Sequence, residues 1–358
     1  MINTYTKYLI INYFKSISYV FVVMLSLVII LNILTEIEFF KNYNVNTYLP
    51  FYLAALNSLD LIFEMFPFIF LIATQVFFVN LFTDNQINIF KYSGLKNSKI
   101  LIILGCLTFL IGILIISLFY GLSSNLKNIY LEHKNKYSSD NEYLAVVTNN
   151  GLWIKDVLDN KTLIVNANRI ENNFLINVNI SEFDKNFNLL KVISSEKVNI
   201  SSNNWILNNV NLIKNNNSEE IEQMQLFSNF DYEKINSLFS NLSALSIFEL
   251  FQLRNNYIKI NYSTTEIDVQ LQKLFSFPVY FTLMTIFSGI IMFNTKSFKS
   301  NSLKITIGLF LCVVIYYLNN LFQVLGNTEK IPILISVWAT LIIIICMNLI
   351  LLVKINDK

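Results

Sequence analysis

Residues 100–122 read Ile-Leu-Ile-Ile-Leu-Gly-Cys-Leu-Thr-Phe-Leu-Ile-Gly-Ile-Leu-Ile-Ile-Ser-Leu-Phe-Tyr-Gly-Leu, without one charged side chain. As a helix this stretch is about 35 Å long, and the hydrocarbon core of a bilayer is about 30 Å thick. The helix continues in polar residues toward His133, and a polar middle then extends to about Asp268. Five more charge-poor runs share its character. They cover about 16–35 and 61–82 on one side of the polar middle, and about 274–293, 305–325 and 331–353 on the other. The expected architecture is an α-helical membrane protein of six transmembrane helices, three and three, with an inserted water-facing domain. Residues 1–126 form the first helical part, 127–268 the insert and 269–358 the second part.

Composition supports this. Of 358 residues 54% are hydrophobic and only 14% charged, against about 25% charged in a soluble domain. A net charge of +2 gives no basic face for nucleic acid. Lysine dominates the cations (Arg169 and Arg254 are the only arginines), and Asn and Ile are abundant. That bias reads as AT-rich coding rather than chemistry. Cys106, Cys312 and Cys346 all lie in apolar runs, so the insert holds neither a disulfide framework nor a thiolate metal site. The first run lacks a small-residue cleavage site and precedes acidic residues, so it reads as a retained helix.

Lysines near helix ends set the orientation, because positive residues stay cytoplasmic. Lys7 and Lys15, then Lys91, Lys96 and Lys99, then Lys296, Lys299 and Lys304, and finally Lys354 and Lys358 fall on one side. The alternate loops carry Glu36, Glu38 and Asp60 against Lys41, and Glu329 beside Lys330. Both termini are expected in the cytoplasm and the insert on the outer, periplasmic side.

The insert reads as β. Tyr143–Thr148 leads into the turn Asn149-Asn-Gly151. Segments 152–154, 162–165, 174–180, 189–193 and 205–207 follow, short and rich in β-branched residues between Asn/Asp/Ser/Gly clusters. Regular spacing suggests a sandwich or jelly roll. Trp153 and Trp205 are expected to fill its core, and Lys214–Ser218 to be a surface loop. Residues 246–261 read as a helix returning to the membrane.

Catalytic signatures are absent. The chain has no G-x-x-x-x-G-K-[ST], no G-x-S-x-G and no H-E-x-x-H, and His133 is its only histidine. An enzyme is not expected; if the protein does energised work, another subunit supplies the ATPase. Residues 82–95 are the natural contact for it. Ile87, Phe90 and Lys91 share one helical side and Gly94 ends the helix. Such a short amphipathic helix either docks in a partner's groove or lies on lipid headgroups.

Several of these segments together resemble the lipopolysaccharide-export permeases, the YjgP/YjgQ family. Gln86-x-x-x-Phe90-Lys91-x-Ser93-Gly94 is similar to the family's S-E-L-x-x-x-R-A-x-G segment. Phe63-Glu-Met-Phe-Pro67 and Gly151-Leu-Trp-Ile-Lys-Asp156 are similar to segments of the G-type subunit, LptG. The pattern continues through Leu245-Ser-Ile247, Pro278, Ile315-Tyr-Tyr-Leu318, Ile331-Pro332 and Trp338. The resemblance spans essentially the whole chain, and it rests on order and spacing more than on any single motif.

The resemblance implies a permease without a cofactor of its own, paired with a related F-type permease. It implies a dimeric cytoplasmic ATPase that binds ATP and magnesium, and a single-span periplasmic jelly-roll protein extending a β bridge. Residues 85–94 become the coupling helix, with Asp84, Gln86, Phe90, Lys91 and Gly94 at the ATPase. The family's usual glutamate is Gln86 here, so either Asp84 takes over the ion pair or a neutral hydrogen bond serves. Lys41 is a candidate for lipid A phosphates, or it snorkels at the interface. Phe66, Tyr316 and Phe322 are candidates for a cavity wall, or they face lipid or pack between helices. Glu64, read as the first turn of the second span, is either a functional intramembrane charge or a group with a capping or headgroup role. An F-type paralogue, or a membrane-anchored receptor or scaffold, are the competing readings.

Overall fold

The charge-free run is helical throughout, and it is longer than hydropathy alone shows. In the computed structural model α5 (Asn97–Leu114) passes through one π turn at Ile115–Phe119 into α6 (Tyr120–Asn135). The structure describes residues 4–43, 45–137, 152–158, 161–171, 173–214, 217–232, 235, 241–259, 263–293 and 300–356. The chain divides into two compact units, residues 131–264 and the remainder.

In the helical unit α1 is Thr4–Phe40, α2 Tyr48–Glu64, α3 Phe66–Thr83 and α4 Gln86–Tyr92. The second half supplies α8 (Thr265–Phe293), α9 (Asn301–Asn327) and α10 (Ile333–Asn356), after α7 (Ile247–Lys259) in the insert. Among the described residues six helices are long and apolar enough to cross a membrane: α1, α3, the α5–α6 rod, α8, α9 and α10. All six expected spans are present; the second starts later than expected, at Phe66, and the fourth starts earlier, at Thr265. α8 is the axis: 72% of its apolar stretch is buried, and α3, α5, α9 and α10 pack on it. α1 and α9 are peripheral, with 17% buried.

The second span differs from expectation. The sequence reads one helix from about 61 with Glu64 in its first turn. Instead Glu64 is the last residue of α2, and Met65 caps α3. Pro67 lacks the N–H that would continue the helix and fits the first turn of a new one. Around the break Met65 N–H bonds Ile62 O at 3.1 Å, and Ile69 N–H bonds Met65 O at 3.0 Å. α2, unforeseen, packs chiefly on α1. Gly112 on α5 allows close approach to α8: a Cβ there would lie 2.9 Å from the Pro278 Cα.

The expected β-structure of the insert is present, and its strands are longer than expected. β1 is Leu152–Leu158, β2 Lys161–Glu171, β3 Phe174–Asp184, β4 Leu189–Asn199, β5 Asn204–Lys214 and β6 Asn217–Phe227. They form one antiparallel sheet in chain order, β1 to β6. The expected strand at 143–148 and the turn through Gly151 lie outside the described residues. β6 was not expected, and the loop at 214–218 contracts: Lys214 and Asn217 pair in the register, with 215 and 216 outside the described residues.

One face of the sheet closes on a single core that includes Leu152, Val165, Ile180, Ile193, Trp205 and Phe230. A crease bends it. Asn168, Asn177, Glu196, Asn209 and Glu222 form a row across five strands where the pairing register is interrupted. Asn177 (φ 49°) and Asn209 (φ 51°) are left-handed there, a conformation that Asn tolerates better than most residues. Trp205 fills the core as expected, but Trp153 does not. Strand alternation turns Leu152, Ile154 and Asp156 inward and leaves Trp153 56% exposed.

Candidate functional site

Asn85 (φ 54°) breaks the chain between α3 and α4, and Gly94 (φ 77°) ends α4. Leu95 N–H reaches back to Phe90 O at 2.9 Å, the capping bond that a left-handed glycine permits. The helix expected at 85–94 is therefore present as Gln86–Tyr92. Ile87 is buried in an apolar cluster with Leu9, Leu81 and Leu95, and Phe90 packs against it. Asp84 caps α3 and is exposed. Gln86 Nε2 donates to Asp84 at 3.2 Å, and Gln86 Oε1 accepts from the Tyr8 hydroxyl at 2.7 Å. Asp84 and Gln86 thus meet each other. Lys91 is on the same helix, and its side chain lies outside the described residues.

Deeper in the bundle four hydroxyls from four helices converge. Tyr13 of α1 lies 3.1 Å from Thr74 of α3, 3.2 Å from Thr108 of α5 and 3.1 Å from Thr285 of α8. Thr74 Oγ1 donates its proton to Phe70 O at 2.7 Å, so toward Tyr13 it can only accept. Tyr13 can then donate to Thr74 and accept from Thr108, Thr285 or both, and these two threonines also lie 3.2 Å from each other. Every proton has a partner, as an apolar interior requires.

At the other end of α1 a polar network ties it to α2 and α6. Asn32 Nδ2 donates to Ala54 O at 2.8 Å, and Asn57 Nδ2 to Asn32 Oδ1 at 3.2 Å. Lys127 reaches Asn57 Oδ1 at 2.5 Å and Asp60 at 3.4 Å. The Tyr130 hydroxyl donates to Glu36 at 2.9 Å. Glu36 is therefore engaged with α6, and Lys41 is exposed just beyond α1.

Glu64 and Lys273 pair at 3.4 Å beside a small cleft, about 70 Å³, between α3, α8 and α9. Tyr316, Asn319, Asn320 and Gln323 of α9 line it. Their spacing of three, one and three residues is a helical stripe that the sequence carries and hydropathy hides. Phe322 does not line this cleft; six residues from Tyr316, it faces about 120° away. Phe66 is only 4% exposed, within 6.3 Å of the rings of Phe21, Phe63, Phe70, Phe119 and Phe281. It packs the bundle interior in this chain.

In the β unit, buried Asp156 ties β1 to the segment that follows β6. Its carboxylate accepts from Ser228 Oγ at 2.7 Å, and from Asn229 N–H and Nδ2 at 2.9 Å each. Trp205 Nε1 donates to Phe230 O at 2.7 Å. Burial pushes the Glu182 carboxyl up, but Lys161 and Lys191 on the neighbouring strands outweigh it and hold the carboxyl below its ordinary range. Among the described residues no group of His, Cys, Asp and Glu could hold a metal ion.

A family model described as the lipopolysaccharide export system permease LptF/LptG matches residues 7–354. No curated protein matches the chain.

Proposed function

The chain belongs to the lipopolysaccharide export permease family LptF/LptG, and from that premise we propose that it is the G-type permease of an ATP-driven exporter. The observation that carries this reading is the coincidence of the full-length family match with the span order. Three spans, a β insert and three more spans occur in sequence, and a capped amphipathic helix joins the second and third. G-type is preferred over F-type on Phe63–Pro67, Gly151–Asp156 and the C-terminal pattern through Pro278, Ile315–Leu318, Ile331–Pro332 and Trp338.

The division of labour follows from energetics. An acyl chain already buries its methylenes in lipid, so an apolar wall offers little beyond the roughly 0.8 kcal/mol per methylene the bilayer supplies. The wall can only break even, and extraction needs work from outside. This chain has no nucleotide-binding motif, so a separate ATPase supplies that work through α4. The peripheral helices α1 and α9 offer the broad apolar faces that a second, related permease would cover. The lysine pattern puts α4 in the cytoplasm and the β unit in the periplasm of an inner-membrane protein. There the roll would receive lipopolysaccharide and pass it to a single-span jelly-roll partner. Lys41 and the α9 stripe are the polar groups proposed to meet its headgroup.

Co-purification from native membranes tests this. A second six-span permease, an ATPase and bound lipopolysaccharide are expected with the tagged chain. Recovery alone, or with soluble periplasmic proteins and no ATPase, would overturn the export reading in favour of a membrane-anchored receptor.

A further inference from the structure

Tyr8 of α1 grips α4 at two points one turn apart. Its hydroxyl donates to Gln86 Oε1 at 2.7 Å, and its ring lies 6.3 Å from that of Phe90. Five residues along α1, Tyr13 is pinned by hydroxyls from α3, α5 and α8. α1 and α3 flank a cleft of about 570 Å³ that runs along α1 from Tyr8 and Asn12 past Tyr13 to Ser16 and Tyr19, with Asn80 and Gln86 opposite. The Tyr8 contacts bridge this gap.

We propose that Tyr8 is a positioning residue that delivers the movement of α4 to α1. The proposal rests on the reading of α4 as the ATPase-contacting helix, and it names the element that receives the motion. α1 suits this role: it is 37 residues long and is among the least buried of the spans. Beyond Tyr13 it runs on to Asn32 and Glu36, which bond to Ala54 and Asn57 of α2 and to Tyr130 of α6, so a shift received at Tyr8 is passed along one helix to that network.

The chemistry at position 86 agrees. A carboxylate there would attract an external cation. The amide instead spends its oxygen on Tyr8 and its nitrogen on Asp84. Gln86 therefore faces into the chain, and exposed Asp84 is the acidic group left to meet a basic partner.

The test uses the intact exporter complex in nanodiscs, reading glycolipid released per ATP hydrolysed. Tyr8→Phe keeps the ring contact and removes the hydroxyl. It is expected to lower that ratio about three- to tenfold, the worth of one hydrogen bond acting as a coupling energy, while the ATPase still co-purifies. Gln86→Leu should match it, and the double variant should be no worse than either single one. A wild-type ratio in Tyr8→Phe, additive losses in the double variant, or loss of the ATPase from the Tyr8→Phe complex would each overturn the proposal. If the wild-type complex itself lacks an ATPase, the functional reading fails first and the proposal falls with it.

Discussion

Single polar side chains decide the β unit. Asp156 satisfies three donors from Ser228 and Asn229 in a buried site. Asp156→Ala strands them and is expected to destabilise the unit by about 2–3 kcal/mol, seen as an earlier loss of buried Trp205 fluorescence in urea. Asn209 occupies a left-handed crease position; Asn209→Val should cost about 1–2 kcal/mol and Asn209→Gly little, by the same assay. The sequence showed these asparagines only as compositional bias, because a left-handed strand residue follows no hydrophobic period. Glu182 is held below its ordinary pKa, so its stabilising effect is full above the ordinary carboxylate range and is lost as pH falls through the depressed value. Glu182→Gln should cost about 1–2 kcal/mol at neutral pH and flatten the acid limb of the stability curve. The limb should not vanish, because Asp184 is depressed too, by hydrogen bonds from Asn188.

At the scale of elements, close approach matters most. α5 and α8 meet where Gly112 faces backbone, with Pro278 Cα 2.9 Å from a would-be Cβ. Gly112→Ala must push two helices apart, and it should lower stability by about 1–3 kcal/mol, read as a drop in the melting temperature of the detergent-solubilised chain. The spans were legible because a long charge-free run has little use outside a bilayer. α2 was not: Asn57, Ser58 and Asp60 are polar yet buried, so hydropathy assigned them to a loop. β6 was missed for the opposite reason. Glu219, Glu220 and Glu222 sit on a strand with one paired edge and mostly exposed side chains, which leaves no apolar alternation to detect. The α4 helix was legible from Ile87, Phe90 and Gly94. The Tyr8–Gln86 bond was not, since its partners are 78 residues apart.

For the whole molecule, the exposed flanks make a prediction about assembly. Leu27 of α1 and Val324 of α9 are 50% and 53% exposed, whereas Phe281 of α8 is fully buried. In native membranes a photo-crosslinker at Leu27 or Val324 should capture a second permease, and one at Phe281 should not. Equal capture at all three, or lipid alone at the first two, would refute this placement of the partner.

The sequential strand order has a consequence for biosynthesis. Each of β2 to β6 pairs with the strand made just before it, so the sheet can grow as it emerges. The helical unit has no such freedom. α3 and α5 pack on α8, which begins at Thr265, more than a hundred residues after α5 ends. At about 5–20 residues per second, the first three spans wait some seconds in the bilayer with their future contact faces toward lipid. That interval, before the axis arrives, is when the nascent chain is most open to wrong neighbours or to quality control.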